Sequence, residues 1–336
     1  MIKFEVTGTE YEIGFKIGEK FKIYLQNKAK IYDEKIINLT IYSRVKEMEN
    51  KLKNEFPKCL EEIYGRADGA EVSRDSLLLM FFPEIFKGID GCTTILLKKS
   101  NGKFLFSHNE DDKFYNRDGV ALVKYQYKDY WIVGYTPADK LIGSSFAYNS
   151  YGMVFSSNYI YDTKIDLDNI SRYIMVRIVM DSQNIDEAIT KLKTHKVASA
   201  FSLNILDMNS NTAVNVEKDI SDIYVTKIQD RYARANHFIA KKDDLPEEPI
   251  SSSFRQKKVS ELTNLLDKST AKIDDLINVL NYETDDYYQT IFKNPNKYDD
   301  KSSTVANFSI DSETGIVMIR DYLCDDRIEM KFGEFK

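Results

Sequence analysis

The sequence predicts an α+β fold in which helices and strands lie in separate blocks of the chain. Residues 19–65 are rich in Lys, Glu, Ile and Leu, a composition that favours helices. From residue 93 to residue 161 short runs of β-branched and aromatic residues alternate with turn residues, which indicates strands. Blocks of this kind, without strict alternation of strand and helix, are typical of layered α+β proteins.

The helical block opens with a short strand, and Pro57 is the one break expected within residues 19–65. Ser73 is placed to cap a short helix that runs through the apolar residues 77–82. Asp75 lies in the first turn of this helix, where a negative charge is favourable. Pro83 and Gly88 then close the block.

The rest of the chain reads as strands, two pairs of helices and a final hairpin. Strands are expected at residues 93–98, 103–107, 120–127, 130–135, 145–149, 153–159, 200–207, 213–217, 223–227, 305–310 and 315–320. Helices are expected at residues 170–181, 185–194, 252–267 and 273–281. The polar stretch 241–249 fits a surface loop better than a linker between domains.

Length and composition limit the class of protein. The chain has 336 residues, of which 43% are hydrophobic and 30% charged, with only 14 Gly and 6 Pro, so collagen-like, disulfide-scaffold and wholly disordered classes are excluded. The net charge of −6, without a basic block, argues against nucleic acid as a partner. The longest apolar run, residues 77–82, is too short to span a membrane, and residues 1–6 lack a signal-peptide pattern. We therefore expect a cytoplasmic protein that acts on a small molecule and contacts neither nucleic acid nor membrane.

The three cysteines are widely separated in the sequence. Their spacing fits neither a disulfide framework nor a zinc site, so we expect no metal. For Cys59 and Cys324 the expected role is that of a small buried hydrophobic residue. Cys92 differs, because it stands where the helical block gives way to strands and directly follows Gly91.

Gly91 and Cys92 together suggest a self-cleaving peptide bond. Gly91 has no side chain to hinder attack on its carbonyl and tolerates strained backbone angles. A thiol at Cys92 that attacks this carbonyl would shift the acyl group from nitrogen to sulfur, and water would then cut the chain. The new N-terminal Cys92 would carry both a nucleophile and a base, since a free α-amine takes up a proton near neutral pH.

Four motifs within residues 8–102 then point to a family. They are Gly8-Thr9-Glu10-Tyr11-Glu12-Ile13-Gly14 with Gly18, Gly69-Ala70-Glu71, Asp90-Gly91-Cys92-Thr93-Thr94, and Asn101-Gly102. With these motifs the chain resembles the isopenicillin N acyltransferase-like family, the acyl-CoA:6-aminopenicillanic acid acyltransferases, which are self-cleaving N-terminal-nucleophile hydrolases.

The resemblance implies a four-layer α/β/β/α sandwich made as one precursor and cut between Gly91 and Cys92. Residues 1–91 would be the helical N-terminal segment, released as a small subunit. Residues 92–336 would be the catalytic portion, and both pieces would stay associated as one structural domain because the helices must bury their apolar faces. The protein would thus be a zymogen whose own cleaved segment is a partner.

The resemblance also assigns site residues. Cys92 matches the nucleophile, and Asp111 matches the carboxylate beside the amine of the nucleophile. Asn236, in a segment similar to the family's Thr-Asn-His, matches the oxyanion-hole residue, since a side-chain amide can donate to the developing negative charge. The supporting or substrate-binding candidates are Asn109, Asn158, Arg255 and Lys301.

Two positions depart from the family pattern. Glu110 stands where the family has an aromatic residue, and Lys301 stands where it has an arginine. A lysine does not supply the planar, two-pronged donor of an arginine. The two flanking histidines of these motifs, His108 and His237, are expected to make ordinary hydrogen bonds.

The expected reaction is hydrolysis of a linear, non-peptide C–N amide of a small N-acyl compound through a Cys92 acyl-enzyme. An alternative is an acyl-CoA-dependent N-acyltransferase, for which a CoA thioester would be the acyl donor; otherwise no cofactor is expected. Hydrolysis is the default because transfer requires a second site that excludes water. A non-catalytic small-molecule binder with an unprocessed chain is a further alternative. A homo-oligomer is left open.

Overall fold

The computed structural model describes residues 1–86, 91–113, 118–162, 164–298 and 301–335. Over these residues the strands form two sheets, one of eight strands and one of six, which pack face to face. Helices cover the outer face of each sheet. The layers therefore follow the order helix, sheet, sheet, helix, and the α+β fold class with four layers is confirmed.

The N-terminal residues contribute one strand and most of the first helical layer. The elements are β1 (Ile2–Thr7), α1 (Glu10–Lys20), α2 (Lys22–Ile36), α3 (Leu39–Glu55), α4 (Pro57–Ala70) and α5 (Arg74–Met80). Thr9 caps α1 in a reciprocal arrangement with Glu12, which explains part of the first sequence motif. Strand β1 pairs in parallel with β4 (Val120–Gln126), so the segment before Gly91 is built into the larger sheet.

Three glycines of the two N-terminal motifs, together with Gly65, bring α1 and α4 into close contact. Gly14 and Gly18 of α1 face α4, and Gly65 and Gly69 of α4 face α1. A Cβ atom at any of these four positions would lie 2.0–2.2 Å from a backbone oxygen of the other helix. Only glycine permits this separation, so both motifs have a packing role.

The remaining elements complete both sheets and both helical layers. The strands are β2 (Thr93–Lys98), β3 (Phe104–Lys113), β5 (Trp131–Pro137), β6 (Phe146–Asn149), β7 (Met153–Tyr159), β8 (Phe201–Asp207), β9 (Thr212–Lys218), β10 (Ile223–Lys227), β11 (Arg231–Arg234), β12 (Ser302–Asp311), β13 (Ile316–Asp321) and β14 (Asp326–Lys331). The helices are α6 (Arg172–Val179), α7 (Ile185–Thr194), α8 (Ile250–Asn264) and α9 (Ile273–Leu280). The larger sheet has the order β1-β4-β5-β6-β7-β8-β9-β10, and the smaller has the order β11-β2-β3-β12-β13-β14.

The main apolar cores fill the three spaces between the four layers. The largest lies between α1–α7 and the eight-stranded sheet, and a second fills the space between the two sheets. The third lies between the six-stranded sheet and α8 with α9. Buried polar residues also join the layers: Glu62 of α4 accepts hydrogen bonds from Tyr125 of β4 and Arg177 of α6, at 3.2 and 3.0 Å.

Three sequence expectations were wrong in detail. The block at residues 19–65 breaks at Phe21 and at Asn38 as well as at Phe56, because these residues flank separate helices. Strand β3 continues to Lys113, six residues beyond its expected end, since its second half is polar yet buried. Strands β11 and β14 were missed, because each is short or half exposed and lacks an apolar pattern.

Candidate active site

Cys92 directly precedes β2, an inner strand of the six-stranded sheet, and is 3% exposed. In the antiparallel pairing of β2 with β3, Thr93 lies opposite Asn109 and Thr94 opposite His108. Side chains alternate between the two faces of a strand. We call the face of β3 toward the eight-stranded sheet its inner face and the face toward α8 and α9 its outer face.

On the outer side, Arg255 of α8 fixes the backbone around Cys92. Its Nη1 donates to the Cys92 carbonyl oxygen at 2.7 Å and to Thr93 Oγ1 at 2.8 Å. Its Nη2 donates to Asn236 Oδ1 at 2.7 Å. Burial lowers the pKa of Arg255, and the neighbouring Asp111 opposes this shift. The planar guanidinium thus joins the Cys92 segment to Asn236.

Asn236 binds the backbone nitrogen of Cys92. Its Oδ1 accepts from Cys92 N at 3.2 Å, and its Nδ2 donates to the Tyr159 carbonyl oxygen at 2.8 Å. An amide nitrogen carries two hydrogens, so a second one remains for the oxyanion role that the resemblance implies. The Asn236 backbone is itself held, since its N–H donates to Ser252 Oγ at 2.7 Å.

Glu217 stabilises the segment that follows Asn236. This fully buried carboxylate on β9 accepts from Arg234 Nη1 at 2.8 Å. It also accepts from the backbone N–H groups of Ile239, Ala240 and Lys241, between 2.6 and 3.1 Å. Hydrogen bonds to a buried charge are the strong ones, so Glu217 makes the position of Asn236 rigid.

Asp111 lies on the outer face of β3 within a group of buried polar side chains. Its Oδ2 is 3.1 Å from Lys293 Nζ, and its Oδ1 accepts from Thr304 Oγ1 at 2.8 Å. A Cβ atom on Gly91 would lie 3.0 Å from Lys293 Nζ and 3.3 Å from Arg255 Nη2. Burial lowers the pKa of Lys293, and the attraction of Asp111 opposes this shift. The Gly91–Cys92 bond therefore runs beside two cations and one carboxylate.

On the inner face, Glu110 contacts the thiol. Cys92 Sγ donates to Glu110 Oε2 at 3.2 Å, and His108 Nε2 lies 3.2 Å from the same oxygen. His108 Nδ1 is 2.8 Å from Thr94 Oγ1. A sulfur, an imidazole nitrogen and a carboxylate oxygen thus come within 4.8 Å of one another, which is a donor set of the kind that binds zinc. The expectation of no metal stays a prediction.

The other supporting candidates have distinct places. Asn109 is fully buried on the outer face, where it donates to Leu280 O at 3.0 Å and accepts from Asn307 Nδ2 at 2.7 Å, so it joins β3 to α9 and β12. Asn158 of β7 faces β2 across the space between the sheets and accepts from Thr94 Oγ1 at 2.9 Å. Its Nδ2 is buried and has no hydrogen-bond partner among the described residues.

Lys301 lies apart from this cluster, because its side chain is exposed and its Nζ sits 4.9 Å above the Tyr287 ring. Lys293 is the lysine that the structure brings to Gly91 and Asp111. The sequence reasoning missed Lys293, which lies in an irregular segment between α9 and β12 with no motif to mark it. It also gave His108 no role near the nucleophile, although His108, Glu110 and Cys92 share one face by simple strand alternation.

The four layers are those of the N-terminal-nucleophile fold, and Cys92 stands at the head of an inner strand of the smaller sheet. The solved structure of penicillin V acylase from Agrobacterium tumefaciens superposes with a TM-score of 0.50 at 13% identity, over 72% of this chain and 87% of that one. A conjugated bile acid hydrolase mutant from Clostridium perfringens gives a TM-score of 0.48 at 13% identity, over 72% of this chain and 92% of that one.

The family follows from the sequence comparison. The model for acyl-coenzyme A:6-aminopenicillanic acid acyl-transferase matches residues 97–320, and the chain belongs to that family. A curated relative, the β-alanyl-dopamine/carcinine hydrolase of Drosophila melanogaster, is 27% identical over 227 residues. That match covers 59% of this chain and 58% of the relative. Among the described residues, no helix combines the length and apolar character needed to cross a membrane.

Proposed function

We propose that this chain is a self-processing cysteine amidohydrolase. It cuts its own Gly91–Cys92 bond, and Cys92 then attacks a linear C–N amide of a small N-acyl compound to form an acyl-enzyme. The observation that carries the proposal is a pair of hydrogen bonds that fix the Cys92 backbone. Its nitrogen donates to Asn236 Oδ1, and its carbonyl oxygen accepts from Arg255 Nη1. These contacts would keep a new N-terminal cysteine in place after cleavage.

The site residues take complementary roles in this reaction. The freed α-amine of Cys92 is the base that accepts the thiol proton, and the Arg255 cation favours the neutral form of that amine. Asn236 donates to the oxyanion of the tetrahedral intermediate. Asp111, held by Lys293 and Thr304, balances the positive charge around the amine. The amine product then leaves, and water releases the acyl group.

The substrate class rests on the relatives. The curated relative is a β-alanyl-dopamine/carcinine hydrolase, which suggests an amide between a small acyl group and an amine. The second candidate is acyl-CoA-dependent N-acyl transfer, because the family model that matches is named for that activity. A cytoplasmic location stays a prediction, and a homo-oligomer stays open.

Intact mass under denaturing conditions tests the proposal, with wild type, Cys92→Ala and Cys59→Ala compared. Cys59 is the matched control, since it is also buried but lies in the core of the helical layer, where burial raises its pKa to about 12. Wild type and Cys59→Ala should give two species whose masses sum to the intact chain plus one water. Cys92→Ala should remain one chain. A wild-type chain that stays whole in every preparation would favour the non-catalytic binder.

Turnover is then measured on the cut protein with β-alanyl-dopamine and a panel of N-acyl amines. Release of the free amine in buffer alone supports hydrolysis. Acylation of an amine that occurs only when an acyl-CoA is added would favour the transferase.

A further inference from the structure

Self-cleavage needs an acceptor for the proton of the Cys92 thiol. In the cut protein the free α-amine is that acceptor, but the uncut chain has no such amine. In the uncut chain Cys92 N is an amide nitrogen, whose hydrogen bond runs to Asn236 Oδ1. An amide nitrogen has no basic lone pair, so it cannot accept the proton of the Cys92 thiol. The first reaction of this protein, as proposed above, therefore needs a different proton acceptor.

The geometry points to Glu110, which stands where the family pattern has an aromatic residue. Its Oε2 is the acceptor of the Cys92 S–H at 3.2 Å, and the carboxylate is only 6% exposed. Asp111 is the other carboxylate of β3 near this bond, but it lies on the outer face and is occupied by Lys293 and Thr304. Glu110 is thus the carboxylate of β3 that accepts a hydrogen bond from the thiol.

His108 is the second neighbour of the Glu110 carboxylate. The Thr94 hydroxyl has one hydrogen, and this hydrogen goes to Asn158 Oδ1 at 2.9 Å because a carbonyl oxygen only accepts. The contact of 2.8 Å between Thr94 Oγ1 and His108 Nδ1 is then donated by the imidazole, which fixes the ring. The other imidazole nitrogen lies 3.2 Å from Glu110 Oε2. Glu110 Oε2 therefore contacts both the fixed imidazole and the Cys92 thiol.

We propose that Glu110 is the proton acceptor for self-cleavage, an inference that rests on the proposed function. The thiol proton moves to Glu110 Oε2, and the sulfur electron pair forms a bond to the Gly91 carbonyl carbon. The tetrahedral intermediate collapses, the C–N bond breaks, and its electron pair stays on Cys92 N, which takes the proton back from Glu110. The product is a thioester between Gly91 and Cys92 Sγ, with a free α-amine. One water then hydrolyses the thioester to the Gly91 carboxylate and the thiol.

The test follows cleavage of the full chain made by cell-free translation, quenched in denaturant at set times and read by intact mass. The variants are Glu110→Gln and Glu110→Asp, with Asp112→Asn as the matched control. Asp112 is a buried carboxylate on the same strand and face as Glu110, and its Oδ2 accepts from Lys140 Nζ at 3.3 Å. A general acid–base group contributes about 10²–10⁴-fold in rate. Glu110→Gln should therefore slow cleavage at least about 100-fold, and Glu110→Asp should slow it less, whereas Asp112→Asn should cut within about threefold of wild type.

The outcomes separate the two proposals. If wild type is cut and folded Glu110→Gln is cut at the same rate, Glu110 is not the acceptor and the proposed function stands. If wild type itself remains whole, the proposed function fails first. Thermal unfolding of each variant shows whether it is folded. If Glu110→Gln does not fold, Glu110→Asp is the deciding variant, since it keeps the charge but withdraws the carboxylate from the sulfur. Self-cleavage of Glu110→Asp at the wild-type rate then overturns the proposal.

Discussion

Each face of β3 carries a buried carboxylate, and the two carboxylates have different kinds of partner. On the outer face, Asp111 is enclosed by an ion pair with Lys293 and a hydrogen bond from Thr304. On the inner face, Glu110 meets a thiol and an imidazole and no lysine or arginine among its described contacts. Two carboxylates one residue apart are therefore suited to different tasks. The outer one balances charge and holds the site together, and the inner one is placed to exchange a proton.

A single strand can thus place a residue that stabilises the fold next to one that is suited to proton transfer. Alternation sends neighbouring side chains into different layers, so each carboxylate has its own surroundings. Asp111 has a lysine and a hydroxyl as partners, whereas Glu110 has a thiol, whose proton it can accept, and an imidazole. Substitutions on one face at a time test whether the outer face serves stability and the inner face serves proton transfer.

The largest expected effect is on stability from the outer face. Asp111→Asn leaves the buried Lys293 without its carboxylate, and breaking a buried pair from one side costs about 3–5 kcal/mol. Glu110→Gln should cost less than about 1.5 kcal/mol, the range of an ordinary hydrogen bond. Urea unfolding of both variants, each in a Cys92→Ala background so that every chain stays uncut, measures the difference. Equal losses for the two variants would refute the division between the faces.

Asn236→Ala tests the residue that joins the outer cluster to the nucleophile. Removal of one oxyanion donor costs about 10²–10³-fold in kcat, or about 2.7–4 kcal/mol. Gln256→Ala is the control, because Gln256 binds the backbone of Ala233 and Ala235 next to Asn236 without touching Cys92. Turnover of cut protein should fall for the first variant and stay within about threefold for the second. A similar loss in both would mean that Asn236 acts only by holding the loop.

Much of the fold was predictable from the sequence, and the reasons are visible in particular elements. Strands β2, β7 and β10 match their expected bounds, because each contains at least three β-branched or apolar residues in a row. The second half of β3 was not predictable. Its residues are His, Asn, Glu, Asp and Asp, which favour turns or exposed positions, and only the tertiary structure buries them.

The candidate site divides in the same way. Cys92, Asp111, Asn236 and Arg255 could be placed together because each lies in a motif of the family. Lys293 could not, since it lies between α9 and β12 in a segment without a periodic pattern, and only the folded chain brings it to Gly91. The role of Glu110 was hidden for another reason. Its position was compared with the aromatic residue of the family, although strand alternation alone places it on the face of the thiol.

Thr94→Val tests whether the inner face depends on the orientation of His108. The Thr94 hydroxyl contacts His108, Asn158 and Asn204, and its loss leaves buried polar atoms without a partner, at a cost of about 1–3 kcal/mol. Self-cleavage should also slow, since the imidazole that contacts Glu110 loses its support. Thr94→Ser keeps the hydroxyl and should restore both properties. If valine and serine behave alike in cleavage assays, the imidazole does not depend on this hydroxyl.

The smallest expected effect comes from Lys301, the lysine that aligns with the arginine of the family. Its side chain is exposed and lies over the Tyr287 ring, so Lys301→Ala should change the free energy of unfolding by no more than about 0.5 kcal/mol. Lys293→Met removes the cation beside Asp111, and its loss of stability should approach that of Asp111→Asn. Unfolding and turnover measured side by side for both lysine variants decide which one serves the site. A tenfold or greater loss of turnover in Lys301→Ala, with Lys293→Met unaffected, would return the role to the position that the family alignment indicates. It would also mean that turnover does not depend on the Lys293–Asp111 ion pair on the outer face of β3.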